Sequence, residues 1–259
     1  MTIIKNMKED YKYTKEMVEF YDTVYENLTP DGDLDFYVQK LVNAGGPALE
    51  IGCGTGRIFA KALKLGADIY GIDQSELMLS KLKEKIEPKE YHRVQNVDAR
   101  EFKSDKKFKL IIAPFRIFQH VLTVDDQLQF LENVKENLEK GGRFIMDVFN
   151  PDINLINKGY SETLQFEGEH MPGKKIKRYH RVKPDVLNQF QHVTFRFVWD
   201  EGGKEKEAEF YTPMRYYFRY ELEHLIARAG LKLVNIHGDF KENALSKDSK
   251  SFVVECTKL

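Results

Sequence analysis

Ala48-Leu49-Glu50-Ile51-Gly52-Cys53-Gly54-Thr55-Gly56-Arg57 joins a short apolar run to a glycine-punctuated turn and then to a helical pattern. Glycines at every second position leave the backbone uncovered, so a ligand can approach it and the amino end of the following helix. Three kinds of ligand loop share that architecture, and spacing separates them. A P-loop closes on Gly-Lys-Ser/Thr, whereas Arg57 follows Gly56 here. The dinucleotide fingerprint Gly-x-Gly-x-x-Gly would put its third glycine at Arg57 counted from Gly52, or at Phe59 counted from Gly54. What is left is an acidic residue followed by Gly-x-Gly-x-Gly.

Around this loop the pattern alternates between helix and strand. Met17, Val18, Tyr21, Val24, Tyr25 and Leu28 recur three and four apart and predict an amphipathic helix over Thr14 to Asn27. A second helix is expected over Leu34 to Val42, stopped by Gly45-Gly46-Pro47. Apolar runs without alternation follow at Ala48 to Ile51, Asp68 to Ile72, Leu110 to Ala113 and Arg143 to Phe149, with helical stretches near 57 to 65, 75 to 86 and 125 to 139. Such runs joined by helices predict strands buried on both faces of a parallel sheet. This part is α/β.

From about residue 160 the period becomes two. Val193, Phe195, Phe197 and Trp199 share one face of a strand, and Ala208, Phe210, Met214, Tyr216 and Phe218 one face of the next, with Asp200-Glu201-Gly202-Gly203 as the hairpin turn between them. With Glu162 to Phe166 and Lys174 to Lys183 this predicts an antiparallel sheet of about four strands with one face buried. The helical period then returns at Leu222, Leu225, Ile226 and Ala229, capped by Gly230, and strands follow at Leu231 to His237 and Ser251 to Cys256. The expected organisation is one α/β domain over residues 1–159 and 219–259, carrying an inserted β cap over 160–218.

Glu50 to Gly56 resembles motif I of the class I S-adenosylmethionine-dependent methyltransferases, and the resemblance continues in register. Asp73, closing Ile69-Tyr70-Gly71-Ile72-Asp73, resembles the acidic residue that binds both ribose hydroxyls. Val97-Asp98-Ala99 resembles the segment whose Asp accepts from the adenine amino group while the next backbone N–H serves the ring. Leu110 to Phe115 looks like the fourth strand, Leu138 to Arg143 like the turn before the fifth, and the closing helix and two strands like the terminal hairpin with its antiparallel seventh strand. The resemblance implies a Rossmann-like seven-stranded sheet, S-adenosyl-L-methionine as cofactor and S-adenosyl-L-homocysteine as product. It also implies that Gly52, Cys53, Gly54, Gly56, Gln74, Met78, Ala99, Pro114 and Phe115 join Glu50, Asp73 and Asp98 in binding the cofactor. No metal is expected.

Tyr21-Asp22-x-x-Tyr25 followed by Asp33-x-Asp35-Phe36-Tyr37 is similar to small-molecule enzymes of that family, including amino-sugar N,N-dimethyltransferases. In those an amino-terminal helix closes over the cofactor and contributes a tyrosine, here Tyr21. The inserted sheet resembles their insert, which builds part of the substrate pocket and in some members a dimer contact, so a homodimer through the cap is an expectation. Ala113-Pro114-Phe115-Arg116 stands where the DNA amino-methyltransferases carry Asn/Asp-Pro-Pro-Tyr/Phe, which argues against a nucleobase amino group as acceptor. Ligands of open parallel sheets sit at the carboxyl ends of the strands. His120 is therefore the first candidate for a general base, Arg116 for holding an acidic acceptor, and Tyr217 for the acceptor side, with Phe115, Phe118, Gln119, Asn150 and Arg215 nearby in the pattern.

Composition bounds the partners. The chain has 259 residues with 40 Lys+Arg against 41 Asp+Glu, a net charge of −1, which speaks against a general polyanion binder. Lys174, Lys175, Lys177, Arg178, Arg181 and Lys183 form a basic stretch around Tyr179, yet residues 160–213 hold nine basic and nine acidic side chains. RNA is thus the lesser expectation beside a small acceptor, and a cofactor-binding module without turnover is a third. Cys53 and Cys256 cannot make a disulfide framework, and no apolar run approaches the roughly 20 residues of a membrane span. A cytoplasmic protein is expected, with no membrane partner.

Overall fold

The structure, a computed structural model, describes residues 13–258. By its internal contacts the chain divides into two units, one of residues 30–150 and 217–258, the other running through Thr29 and from Pro151 to Tyr216.

The first unit is built on a seven-stranded sheet of β1 (Ala48–Ile51), β2 (Ile69–Asp73), β3 (Val94–Asn96), β4 (Phe108–Ala113), β5 (Leu138–Phe149), β10 (Lys232–His237) and β11 (Ser251–Thr257). Their spatial order is β10-β11-β5-β4-β1-β2-β3. β1 runs parallel to β2 and β4, β2 to β3 and β4 to β5, while β11 is antiparallel to both β5 and β10. This is the α/β methyltransferase topology expected from the sequence. The apolar runs are explained by helices on both faces. Leu110, Ile112, Ala48 and Ile69 pack with α2 (Asp33–Val42), α3 (Phe59–Lys64) and α4 (Glu76–Lys83), whereas Leu49, Ile51, Ile111 and Ala113 pack with α5 (Val124–Asn137) and α7 (Arg219–Arg228). Pleat alternation therefore puts Glu50, Asp73 and Asp147 on the face shared with α2 and α3. Leu138 to Arg143, expected as a turn, already pairs as strand: Leu138 lies opposite Phe108 ahead of a register shift. Gly230 ends α7, its N–H donating to Ala227 O and that of Leu231 to Ile226 O.

The second unit is an antiparallel meander of β6 (Tyr160–Met171), β7 (Lys174–Asp185), β8 (Phe190–Asp200) and β9 (Glu205–Arg215), with α1 (Lys15–Leu28) and the short α6 (Ile153–Lys158). The amino-terminal helix, expected with the cofactor domain, belongs here by its contacts. Its apolar stripe, Met17, Phe20 and Val24, is buried against Ile176, Phe197 and Phe210 of the sheet, and Thr14 caps it by accepting from Met17 N. The opposite face of the sheet is a lattice of paired charges. Arg181 donates to Glu209 at 2.8 and 3.0 Å, Arg196 to Glu162 at 2.6 Å and to Glu207 at 3.1 Å, and Lys177 pairs with Glu167. Period two breaks at the end of the last strand: Phe218, expected inside, is 44% exposed, and Tyr217 is fully buried.

Phe20 packs against Phe197, Trp199 and His170, with ring centroids at 6.1, 5.3 and 4.8 Å. Truncating such a ring leaves a cavity worth about 3–5 kcal/mol. Phe20→Ala is expected to destabilise this unit by that amount, and urea titration followed through the emission of Trp199, the single tryptophan, measures it.

Candidate active site

The glycine loop is fastened from beneath. Gly52 N and Cys53 N both donate to Ile72 O, at 2.8 and 3.1 Å, and Gly54 N donates to Asp73 Oδ2 at 2.9 Å. The other carboxylate oxygen of Asp73 accepts from Ser75 N at 2.8 Å. Burial pushes the Asp73 carboxyl above its ordinary range, and those two N–H groups oppose the rise. Gly52 sits at φ +72°, and a Cβ there would lie 2.4 Å from Ile117 Cδ1, so any side chain is excluded twice over. Gly54, at φ +54°, has only Gly52 O, at 3.9 Å, near the place of a Cβ. The loop is thus closed to the protein at Gly52 and open at Gly54.

Beside it lies a buried acidic side chain without a complete set of partners. Glu50 is 2% exposed, and its Oε2 has no hydrogen-bond partner. Burial holds its carboxyl well above the usual range, against the nearby Arg57 guanidinium. Arg57 itself is bidentate to the buried Asp33 at the start of α2 and stands 5.5 Å over the Phe115 ring. An orphaned carboxylate oxygen next to an open glycine suits a ligand with ammonium or hydroxyl donors, as S-adenosylmethionine has.

The third expected element differs in detail. Asp98 accepts from Arg100 N at 2.8 Å and from Arg100 Nε at 2.9 Å on Oδ1, and from Nη2 at 2.5 Å on Oδ2. Arg100 also reaches Asp126 in the first turn of α5. The carboxylate expected to take the adenine amino group is therefore already held by an arginine through both oxygens, which keeps it below its ordinary range despite burial. Of the remaining lining residues Met78 is buried in the first turn of α4, Gln74 is exposed, and Gly56, Ala99 and Pro114 sit in the turns after β1, β3 and β4. Cys53 is buried and its thiol pushed well up by burial, so it is inert as a nucleophile.

Residues 48–142 match the methyltransferase domain family. A relative in Bacillus cereus, described only as a methyltransferase, is 28% identical over 201 residues, 74% of this chain and 86% of its own. Among solved structures, the CcbJ methyltransferase of Streptomyces caelestis is 25% identical, with 89% of this chain and 97% of its own covered and a TM-score of 0.75. CalS10 of Micromonospora echinaspora, an amino pentose methyltransferase solved with S-adenosylmethionine bound, is 16% identical, with coverage of 92% and 96% and a TM-score of 0.70. The chain carries a methyltransferase domain, and over most of its length it is similar to methyltransferases that use S-adenosylmethionine.

Among the described residues, the segment after β4 holds two successive non-glycine residues in strained backbone. Phe115 and Arg116 adopt φ of 55° and 66° in succession, a left-handed conformation that costs non-glycine residues energy and concentrates at functional loops. What holds it is Asp147 of β5. Its Oδ1 accepts from Phe115 N and from Tyr37 Oη, both at 2.7 Å. Asp147 is 1% exposed, and burial raises its carboxyl to about 6 although Tyr37, Arg116 and the Phe115 N–H favour the charged form. Asp147 and Tyr37 were not among the residues predicted for the site. The available signal was a single carboxylate inside Phe144-Ile145-Met146-Asp147-Val148-Phe149.

Arg116 stacks 5.7 Å over Phe149, and its buried Nε lacks a partner. Gln119 is fully buried and accepts from Phe149 N at 3.0 Å, and His120 is the half-buried last residue of the short 3-10 helix Ile117–His120. Tyr217 requires correction. Its hydroxyl donates to the Phe118 and Val121 carbonyls, at 3.3 and 3.2 Å, and its ring stacks on Phe118 in the core, so it serves packing and not the acceptor. Asn150 fastens β5 to Ser249 O. Tyr21 and Arg215 lie in the second unit, Tyr21 with its ring 4.4 Å from Tyr25, and Arg215 5.7 Å over Phe190.

The Asp147 carboxyl fixes the sign of a pH effect. An acid whose native pKa exceeds its unfolded value stabilises the fold below the unfolded pKa, and that contribution is lost as pH rises through the native one. A rise of about two units is worth about 3 kcal/mol, so Asp147 makes stability fall between about pH 4 and pH 6. Asp147→Asn keeps an acceptor for Tyr37 and Phe115 and is expected to flatten that fall by a similar amount. Urea unfolding at half-unit steps from pH 4 to pH 7 measures it, and an unchanged slope in the variant counts against the assignment.

Proposed function

We propose that this methyltransferase transfers a methyl group to a nitrogen or oxygen of a small-molecule acceptor by in-line displacement. The observation that carries the acceptor class is the charge pairing of the β cap: the arginines of the basic strand's outer face and its neighbour are matched by Glu162, Glu207 and Glu209. A polyanion would have to break those pairs and would find no surplus positive field. The amino pentose substrate class of CalS10 supports the same reading, as does Ala113-Pro114-Phe115-Arg116 after β4.

When bound, S-adenosylmethionine supplies an electrophilic methyl on a sulfonium. The protein's part is to orient, to exclude water and to take a proton where the acceptor does not lose it unaided. After bonding Gly54 and Ser75, each Asp73 oxygen keeps a lone pair for a ribose hydroxyl. Glu50 Oε2 answers a donor at the loop, the open backbone at Gly54 admits close approach, and Asp98 orders the turn on the adenine side through Arg100. Pro114 and Phe115 are fixed by Asp147 as a wall, Arg116 meets an acidic group, and His120 is the base for an acceptor that arrives protonated.

Asp73→Ala is expected to weaken S-adenosylmethionine binding by about 1–3 kcal/mol, the range for a charged hydrogen bond; calorimetry giving equal affinity in variant and parent rules out the ribose role. Release of S-adenosylhomocysteine is expected with a metabolite extract containing amino sugars. Release driven by RNA alone, falling steeply with salt, would overturn the acceptor class.

A further inference from the structure

The second unit buries a cation for which its described side chains provide no counterion. Arg178 of β7 points to the face that α1 covers, opposite the paired charges, and is 3% exposed. Its Nη2 donates to Gln165 Oε1 at 2.5 Å, while Nε and Nη1 are buried with no partner, and among the described residues no carboxylate pairs with it. The guanidinium is sandwiched between Phe195, at 4.4 Å, and Tyr25, at 4.9 Å. Two residues on, His180 lies on the same face against Tyr160, and its Nδ1 also lacks a partner. Burial and the Arg178 charge hold that imidazole down at about 4, so it is neutral and offers an acceptor beside the donors. A buried guanidinium with two unanswered nitrogens is costly to the fold. Aromatic faces recover part of that cost, but they do not satisfy N–H donors in the guanidinium plane.

We propose that Arg178 anchors a carboxylate or phosphate group of a small molecule bound within the β cap, its planar fork taking two oxygens of the anion while Tyr25 and Phe195 flank it and His180 Nδ1 accepts from a ligand hydroxyl. The ligand is thereby an anionic small molecule recognised by the cap itself. Arg is the side chain suited to such bidentate capture, and Lys is not its equivalent.

The test uses the full chain and two probes, benzoate and phenyl phosphate, with benzyl alcohol and phenol as uncharged controls. Calorimetry is expected to show saturable binding of at least one anion and of neither control, with the stronger of the two naming the group. Arg178→Met is expected to weaken that binding at least tenfold, Arg178→Lys less, and both to leave S-adenosylmethionine affinity unchanged. Because the methionine removes an unpaired buried charge at similar volume, its melting temperature is expected to equal or exceed that of the parent. Failure of both anions to bind, equal affinity in Arg178→Met and parent, or a lowered melting temperature with unaltered anion binding overturns the proposal. Loss of S-adenosylmethionine binding in the parent would instead overturn the methyltransferase reading and leave the anion measurement independent.

Discussion

Asp73 is the point on which the cofactor-side geometry turns. One carboxylate, at the carboxyl end of β2, accepts from Gly54 N and from Ser75 N. It thereby ties the turn leaving β1 to the turn leaving β2, the two places where a parallel sheet exposes its ligand crevice. The tie works only because β1 and β2 are in parallel register, with Ile51 beside Ile72, and because no side chain stands at Gly52. A carboxylate bonded by backbone N–H groups is held without a flexible partner, so the loop is set before a ligand arrives. Pre-organisation of this kind avoids an ordering cost at binding.

A second carboxylate repeats the device on the same face, three strands away on β5. Asp147 uses a single oxygen to hold Tyr37 from α2 and the Phe115 N–H from the left-handed turn after β4. Strain at Phe115 and Arg116 is tolerable because it is over-determined by this bond and by Gln119 accepting from Phe149 N. The buried acids on the α2 face, Glu50, Asp73 and Asp147, all carry raised pKa values through burial. They destabilise the fold at neutral pH, and their retention at the strand ends is the signature of a site that trades stability for function.

The parallel sheet was legible because every strand buried on both faces must be apolar throughout, and the glycine loop because its spacing admits few ligands. The meander was legible from period two. What escaped were residues whose meaning depends on partners remote in sequence. Asp147 and Tyr37 meet across 110 positions, and nothing local to either announces the other. Tyr217 reads as an acceptor-side residue because period two is carried past Arg215, where β9 ends and the chain turns into the core. Asp98 was assigned by position in a motif, and no motif reports that Arg100, two residues on, occupies both its oxygens.

The basic stretch of the β cap shows why charge counts alone mislead. Residues 174–183 read as one patch, yet the pleat divides them, sending Lys177 and Arg181 to a face where glutamates match them and Arg178 to the covered face where, among the described residues, none does. Over residues 160–213 the net charge is zero either way. Pairing on the outer face removes the field that would attract a polyanion, while isolation on the inner face concentrates one positive charge in a low dielectric, where its interaction with an anion is strongest. The same alternation that makes the sheet amphipathic thus converts a diffuse basic sequence into paired charges on one face and a buried cation on the other.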